Sequence, residues 1–165
     1  MTQKIVWYLL IMTLLAGCAF PGQGGPRLCS DYGDRTTIDI VPLLMRSPDY
    51  IDRRLSHLDS ETTIDAEHLQ TTNYRLLDGS RLKISYRDAL AIGFTIYHRI
   101  PFHTPMKSLE VLGFTRWELT NEEIRPYSHA WKYVTKEGRE LKLYALRDAD
   151  FACYRMAQAF VLVPD

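Results

Sequence analysis

An internal duplication constrains the fold of this chain more than any other feature of its sequence. Tyr74 is followed by Asp-Gly and then Leu-Lys-Ile, and Tyr133 is followed at the same spacing by Glu-Gly and Leu-Lys-Leu, an offset of 59 residues. Upstream of these segments, Ser47-Pro48 recurs as Thr104-Pro105 at an offset of 57. Small changes in offset indicate short insertions, which loops tolerate. The repeat therefore predicts two similar units that bury one shared core.

Each unit is predicted to begin with a short helix. Ser47 suits the N-cap position, and a proline is favoured at the first helical position that follows. Ile51 and Leu55 then lie one turn apart on one face of the helix. Thr104-Pro105 predicts a similar second helix. Its apolar positions are Leu109 and Leu112, and Gly113 would end it.

Each helix is predicted to be followed by a hairpin and a further strand. Asp78-Gly79 and Glu137-Gly138 are typical hairpin turns. Alternation after these turns predicts core-facing side chains at Leu82, Ile84, Tyr86, Leu141, Leu143 and Ala145. A third strand is expected over about residues 91–98, with Ile92, Phe94 and Ile96 inward, and over about 152–163 in the second unit. Residues 149–160 would also suit a helix, and the repeat favours the strand.

The predicted fold class is therefore α+β, with two tandem α-β-β-β repeats that form a mostly antiparallel sheet packed by short helices. The first repeat covers about residues 38–100 and the second about 101–164. This pattern resembles a superfamily that includes the small lipoprotein of the outer-membrane β-barrel assembly machinery and the tandem-repeat β-lactamase-inhibitor proteins. The resemblance rests on the Ser/Thr-Pro helix starts, the apolar residues that follow, the tyrosine-bearing strands and the acid-Gly turns. It implies a protein-binding or inhibitory role.

The N-terminus predicts export and lipidation. Lys4 precedes an apolar run of 11 residues, Ile5 to Leu15, which suits a signal peptide and is short for a membrane-spanning helix. The sequence Leu15-Ala16-Gly17-Cys18 resembles the lipobox of bacterial lipoproteins. The resemblance implies cleavage after residue 17 and acylation of Cys18. An ordinary signal peptide, or an uncleaved anchor helix, with a chance cysteine is the alternative.

The segment 18–28 is predicted to act as a flexible tether for a single domain at 29–165. Five of the eight residues from Ala19 to Pro26 are glycine or proline. Two or more acyl chains hold a protein stably on a bilayer. Alanine rather than aspartate follows Cys18, which by resemblance to enteric lipoproteins implies the periplasmic side of the outer membrane rather than the inner membrane.

Charge and cysteine content restrict the partners and the compartment. The chain has 20 basic and 20 acidic residues, and removal of Lys4 leaves 19 against 20, so nucleic-acid binding is not indicated. With Cys18 acylated, Cys29 and Cys153 remain, and an exported protein is expected to join them in a disulfide. Two free thiols are the alternative.

Catalytic and metal signatures are lacking in the sequence. The five histidines show no tight metal-ligand spacing, no serine lies in a Gly-x-Ser-x-Gly elbow, and no phosphate-binding glycine motif occurs. The sequence therefore favours a non-enzyme without a cofactor or metal.

Surface aromatics are the best candidates for a binding site. Tyr97 and Tyr144 are predicted on the sheet face opposite the core, near Lys83 and Lys142, and tyrosine is enriched at interface hot spots. The principal hypothesis is a lipid-anchored protein-binding or scaffold module that attaches to another envelope protein. The alternatives are an inhibitor or immunity protein, with Phe102 and His103 in a plugging loop, and, less favoured, an envelope enzyme.

Overall fold

The computed structural model describes residues 29–32, 35–64, 69–147 and 152–162. The predicted signal peptide, Cys18 and the tether lie outside these residues. Within the described residues, no helix is both long and apolar enough to cross a membrane.

In the described ranges, two short α-helices and two 3₁₀ turns accompany the sheet. Helix α1 is Pro48–Arg54, helix α2 is Pro105–Glu110, and the 3₁₀ turns are Val41–Leu43 and Arg116–Glu118. Both helices begin where the Ser/Thr-Pro pairs predicted. Ser47 accepts a hydrogen bond from the Tyr50 amide, whereas the Thr104 side chain makes no capping bond.

Eight strands form one antiparallel sheet in the order β1-β2-β3-β4-β8-β7-β6-β5. Their bounds are β1 Asp59–Ile64, β2 Gln70–Arg75, β3 Arg81–Arg87, β4 Leu90–Phe102, β5 Thr120–Arg125, β6 Ser128–Val134, β7 Glu140–Arg147 and β8 Tyr154–Val161. Strands β4 and β8 pair at the centre, so the two halves of the chain contribute to one sheet. The structure is thus a predominantly antiparallel sheet with few short helices, within the predicted α+β class.

Each helix is followed by four strands, and the prediction of three was wrong. The additional strands, β1 and β5, are the two edges of the sheet, and all their residues are exposed. A strand that is exposed on both faces has no apolar alternation for sequence analysis to detect. The expected last strand is confirmed as β8 over its described residues.

The core lies between one face of the sheet and the helical segments. Leu82, Ile84, Leu141, Leu143 and Ala145 are fully buried, as the alternation predicted, and Tyr86 is almost so. Helix α2 packs on β4, β7 and β8. The segment before the first 3₁₀ turn also belongs to this helical layer, because the Ile38 and Ile40 amides donate to the carbonyls of Val111 and Leu112.

The inward position predicted for Ile92 is not maintained. Phe94 and Ile96 are fully buried, but Ile92 is only half-buried. The pairing of β3 with β4 shifts at Ser85/Tyr86, so that Tyr86 lies opposite Ala91 instead of the next residue in register. Ile92 is the additional residue of this bulge, and Ala91 takes the buried position.

Candidate functional site

The candidate site is the sheet face opposite the core, here called the outer face. Strand register places the four predicted surface residues on it. Lys83 lies opposite Thr95, Thr95 opposite Gln158, and Gln158 opposite Tyr144, which makes one row across the sheet. In the next row Arg81 lies opposite Tyr97, and Tyr97 opposite Met156. Neighbouring strands are about 4.8 Å apart, so the row from Lys83 to Tyr144 spans roughly 14 Å.

Phe160 is a central outer-face residue that the sequence analysis missed. It lies opposite Lys142 on one side and Gly93 on the other. A methyl group added at Gly93 would come within 3.1 Å of the Phe160 ring, so the ring covers the surface that Gly93 leaves open. Strict alternation along β8 would have placed Phe160 on this face. The sequence of this segment also suited a helix, however, so no face was assigned to its residues.

Aromatic rings and cations are adjacent on the outer face. The rings of Tyr144 and Phe160 pack edge to face with centroids 6.4 Å apart. The Lys142 ammonium lies 5.5 Å from the centre of the Tyr144 ring, and the Arg81 guanidinium lies 5.8 Å from the centre of the Tyr97 ring. These contacts hold rigid, half-buried aromatic surface beside positive charge, a combination suited to recognition of a protein partner.

Positive charge predominates on the central strands of this face. Within the described residues, Arg81, Lys83 and Lys142 form no salt bridge. The acidic side chains of the face lie mainly on the edge strands, and those of the second half are engaged by cations. Lys132 pairs with Glu140 at 2.6 Å and Arg125 with Glu123 at 2.5 Å.

Shallow grooves flank this central region on both sides. One of 460 Å³ is lined by residues of β1, β2 and β3 that include Glu61, Asn73 and Arg81. One of 270 Å³ on the other side is lined by residues that include Glu123, Lys132 and Lys142. The outer face is therefore an open surface with lateral recesses.

The predicted plugging loop is not a free loop. Strand β4 continues through Ile100 and Pro101 to Phe102, which is buried at 2% exposure. The Phe102 ring packs against His98 and beneath the Arg35 guanidinium. His103 is exposed, but its amide donates to the Asp31 carboxylate at 2.8 Å. Phe102 is thus a core residue, because the N-terminal segment packs across this end of β4.

Cys29 and Cys153 lie at disulfide distance, with their Cα atoms 5.9 Å apart and a sequence separation of 124 residues. The expected pairing is therefore found. Cys153 is buried and directly precedes β8. The pair fixes the first described residues of the domain to the centre of the sheet.

One buried polar pair, His98–Ser108, and one partly buried pair, Tyr74–Asp52, lie on the core side of the described structure, and sequence analysis identified neither. His98 Nε2 and Ser108 Oγ are 2.7 Å apart. Burial, reinforced by Arg35, lowers the pKa of His98 to about 3. Tyr74 donates to the Asp52 carboxylate, and burial together with this bond raises the pKa of its hydroxyl. Ser108 is fully buried, so a substrate cannot reach the first pair in this conformation.

Comparison with known proteins gives no relative for this chain. No family model, curated protein or solved structure matches it. In the described parts of the chain, no group of three or more histidine, cysteine, aspartate or glutamate side chains is placed to hold a metal ion.

Proposed function

We propose that this protein is a lipid-anchored, non-catalytic binding module of the cell envelope, and that its outer face docks an acidic surface of another envelope protein. The observation that carries the proposal is the adjacency of half-buried aromatic rings and unpaired cations around Tyr97 and Tyr144. Rigid aromatics supply contact area at low entropic cost, and the positive centre favours a negatively charged partner.

Charge complementarity favours an acidic protein surface as the partner of the outer face. The mature chain carries 19 basic and 20 acidic residues, yet the central outer face presents Arg81, Lys83 and Lys142 without salt-bridge partners in the described structure. The aromatic centre requires an apolar element in the partner. We therefore favour a folded acidic surface that carries an exposed apolar side chain over a purely polyanionic ligand.

The burial of Phe102 bears on the inhibitory alternative. An inhibitor that plugs an active site needs a protruding loop, whereas Phe102 belongs to the core. A scaffold or attachment role fits the broad outer face better. The partner is accordingly bound across the sheet and not by the segment 101–105.

Site-specific cross-linking in cells tests this docking face. A photoreactive phenylalanine analogue in place of Tyr97 or Tyr144 should give a discrete cross-linked species with one envelope protein. The same analogue in place of Trp117, which is 94% exposed and off the outer face, is the matched control. The Lys83→Glu and Lys142→Glu changes should weaken the product, because they reverse the charge presented to an acidic partner. Equal products from Trp117, or none from either tyrosine, would contradict the proposal.

The proposed location is the periplasmic side of the outer membrane, held by acyl chains on Cys18. The lipobox-like Leu15-Ala16-Gly17-Cys18 supports it. Cys18→Ala should move the protein from the membrane fraction to the soluble periplasm. Persistence of this variant in the membrane, or a mature protein without acyl chains by mass spectrometry, would contradict the anchor.

We also propose that the two halves are copies of one ancestral unit. Both helices begin at the proline of a Ser/Thr-Pro pair, and Gly79 and Gly138 occupy equivalent turns with φ of 81° and 80°. The strand order reads the same way from each edge to the centre. An experimental structure in which the two halves fail to superpose over a helix and four strands would refute the duplication.

A further inference from the structure

The two ends of the sheet differ in the side chains that their hairpin turns expose. At one end, Leu77 in the β2–β3 turn is 81% exposed and Tyr127 in the β5–β6 turn is 61% exposed. At the other end, the β3–β4 turn contains Asp88-Ala89 and the β6–β7 turn contains Lys136-Glu137-Gly138. Turn tips usually carry small or polar residues. The end with Leu77 and Tyr127 is called the apolar-tip end below.

Arginines stand at the base of both apolar tips. Arg75 and Arg81 lie directly opposite each other where β2 and β3 enter the Leu77 turn. At the Tyr127 turn, Arg125 ends β5, and the Arg147 amide donates to the Tyr127 carbonyl at 2.8 Å. Like charges directly across a strand pair are unfavourable, and a bound anion would relieve the repulsion between Arg75 and Arg81. Asp59, which faces Arg75 from β1, forms no salt bridge with it.

The chain leading to Cys18 joins the domain at this same end. Cys29 is held to Cys153, which directly precedes β8, and the first residue of β8 pairs with Phe102 at the end of β4. Strands β4 and β8 are the central pair of the sheet. The attachment point therefore lies midway between the two turns, roughly 12 Å from each at the usual strand spacing. Two further exposed apolar side chains, Tyr32 and Ile100, lie near it.

We infer that the apolar-tip end rests on the lipid bilayer. Leu77 and Tyr127 enter the interfacial region, and Arg75 and Arg147 bind phosphate groups of anionic lipids. Tyrosine and leucine with flanking arginine suit the boundary between headgroups and acyl chains. The planar guanidinium binds phosphate through paired hydrogen bonds. This inference rests on the proposed anchor at Cys18, which supplies the proximity. It leaves the outer face accessible from the side.

Fluorescence quenching in proteoliposomes tests the contact. The full-length acylated protein is reconstituted in vesicles of phosphatidylethanolamine and phosphatidylglycerol with brominated acyl chains, which quench tryptophan only at short range. Leu77→Trp and Tyr127→Trp are made separately, because a sheet twists by roughly 20° per strand and the two tips point in different directions. Trp117, at the opposite end and 94% exposed, is the internal control. We expect bromolipid to reduce the emission of each variant and to leave unchanged that of the otherwise identical protein without the added tryptophan, whose domain emits from Trp117 and the buried Trp131.

The possible outcomes separate the contact from the anchor. Vesicles that retain the protein, with neither variant quenched more than the protein without the added tryptophan, overturn the membrane contact and leave the anchor standing. Failure of the acylated protein to float with the vesicles overturns both. Arg75→Glu in the Leu77→Trp protein should reduce quenching, whereas Arg116→Glu, the same change near Trp117, should not. Equal effects of the two substitutions would count against phosphate binding by Arg75.

Discussion

His98 shows how one buried side chain couples the stability of this domain to pH. Its ring is 5% exposed, contacts Phe102 and Ser108, and lies close enough to Arg35 for charge repulsion to oppose its protonation. These surroundings stabilise the neutral imidazole. Protonation of His98 at lower pH is therefore more favourable in the unfolded chain, in which water hydrates the ring, and this shifts the folding equilibrium toward the unfolded state.

The first prediction concerns the pH dependence of unfolding. The pKa of His98 is lowered to about 3 in the folded protein, from an ordinary value near 6.5. Between these values the unfolded state binds more protons, so stability falls as the pH is lowered through this window. The slope contributed by one such group approaches about 1.4 kcal/mol per pH unit. Urea unfolding from pH 7.5 to pH 5 should show a shallower pH dependence for His98→Gln than for the wild type.

Exposed His57 supplies the control for this measurement. His57→Gln should retain the wild-type slope, because an exposed ring loses little hydration on folding. A slope that is unchanged in His98→Gln would exclude His98 as the responsible group.

Two glycines with positive φ provide the second prediction. A Cβ at Gly113, where φ is +89°, would lie 2.9 Å from the Asp39 Cα, whereas a Cβ at Gly138, where φ is +80°, would meet nothing within 4 Å. Gly138→Ala should cost only backbone strain, about 1 kcal/mol. Gly113→Ala should cost more, because the backbone of segment 38–40 must also move. Chemical denaturation that ranks the two variants equally would contradict this packing.

At the level of elements, the two helix starts differ in capping despite their similar sequences. Ser47 Oγ accepts from the Tyr50 amide at 3.4 Å, whereas Thr104 makes no equivalent bond. The third prediction is that Ser47→Ala lowers the free energy of unfolding by about 0.5–1 kcal/mol and that Thr104→Ala lowers it less. Equilibrium denaturation of the two variants measures this difference. A larger loss for Thr104→Ala would show that its hydroxyl serves another contact.

Features with a local physical signal could be predicted from the sequence, and features that depend on distant packing could not. The Asp78-Gly79 turn and the buried Leu82 and Leu141 follow from turn chemistry and alternation. Edge strands β1 and β5 lack an apolar face, and the burial of Phe102 depends on a segment about 70 residues away in sequence. The His98–Ser108 pair likewise forms only when α2 folds back onto β4.

The candidate site likewise contains features that the sequence predicts and features that depend on strand pairing. Tyr97, Tyr144, Lys83 and Lys142 reach the outer face because strand periodicity places them there. The adjacency of Phe160 to Gly93 and Lys142 required the pairing of β8 with both β4 and β7. Which side chains share a face is therefore encoded locally, whereas which of them touch is set by the order of the strands.

At the scale of the whole molecule, the strands of the first half are joined to those of the second by the central pairing of β4 with β8. Residues 93–97 pair with 156–160, and Phe102 pairs with Tyr154 beyond an irregularity. The Cys29–Cys153 pair lies beside this junction and links the start of the first half to the last strand of the second. The covalent link and the pairing of β4 with β8 thus hold the two halves of the chain together at the same place.

The last prediction is that this link stabilises the whole domain rather than one half. The closed loop spans 124 residues. The chain-entropy model assigns a loop of this size about 4–5 kcal/mol, with measured values often lower. Cys29→Ala/Cys153→Ala should therefore lower the urea midpoint in a single transition, because both halves share one sheet. Reductant should destabilise the wild type similarly and leave the double variant unaffected. Two reactive thiols per denatured, unreduced mature chain, or separate transitions for the halves, would contradict this account.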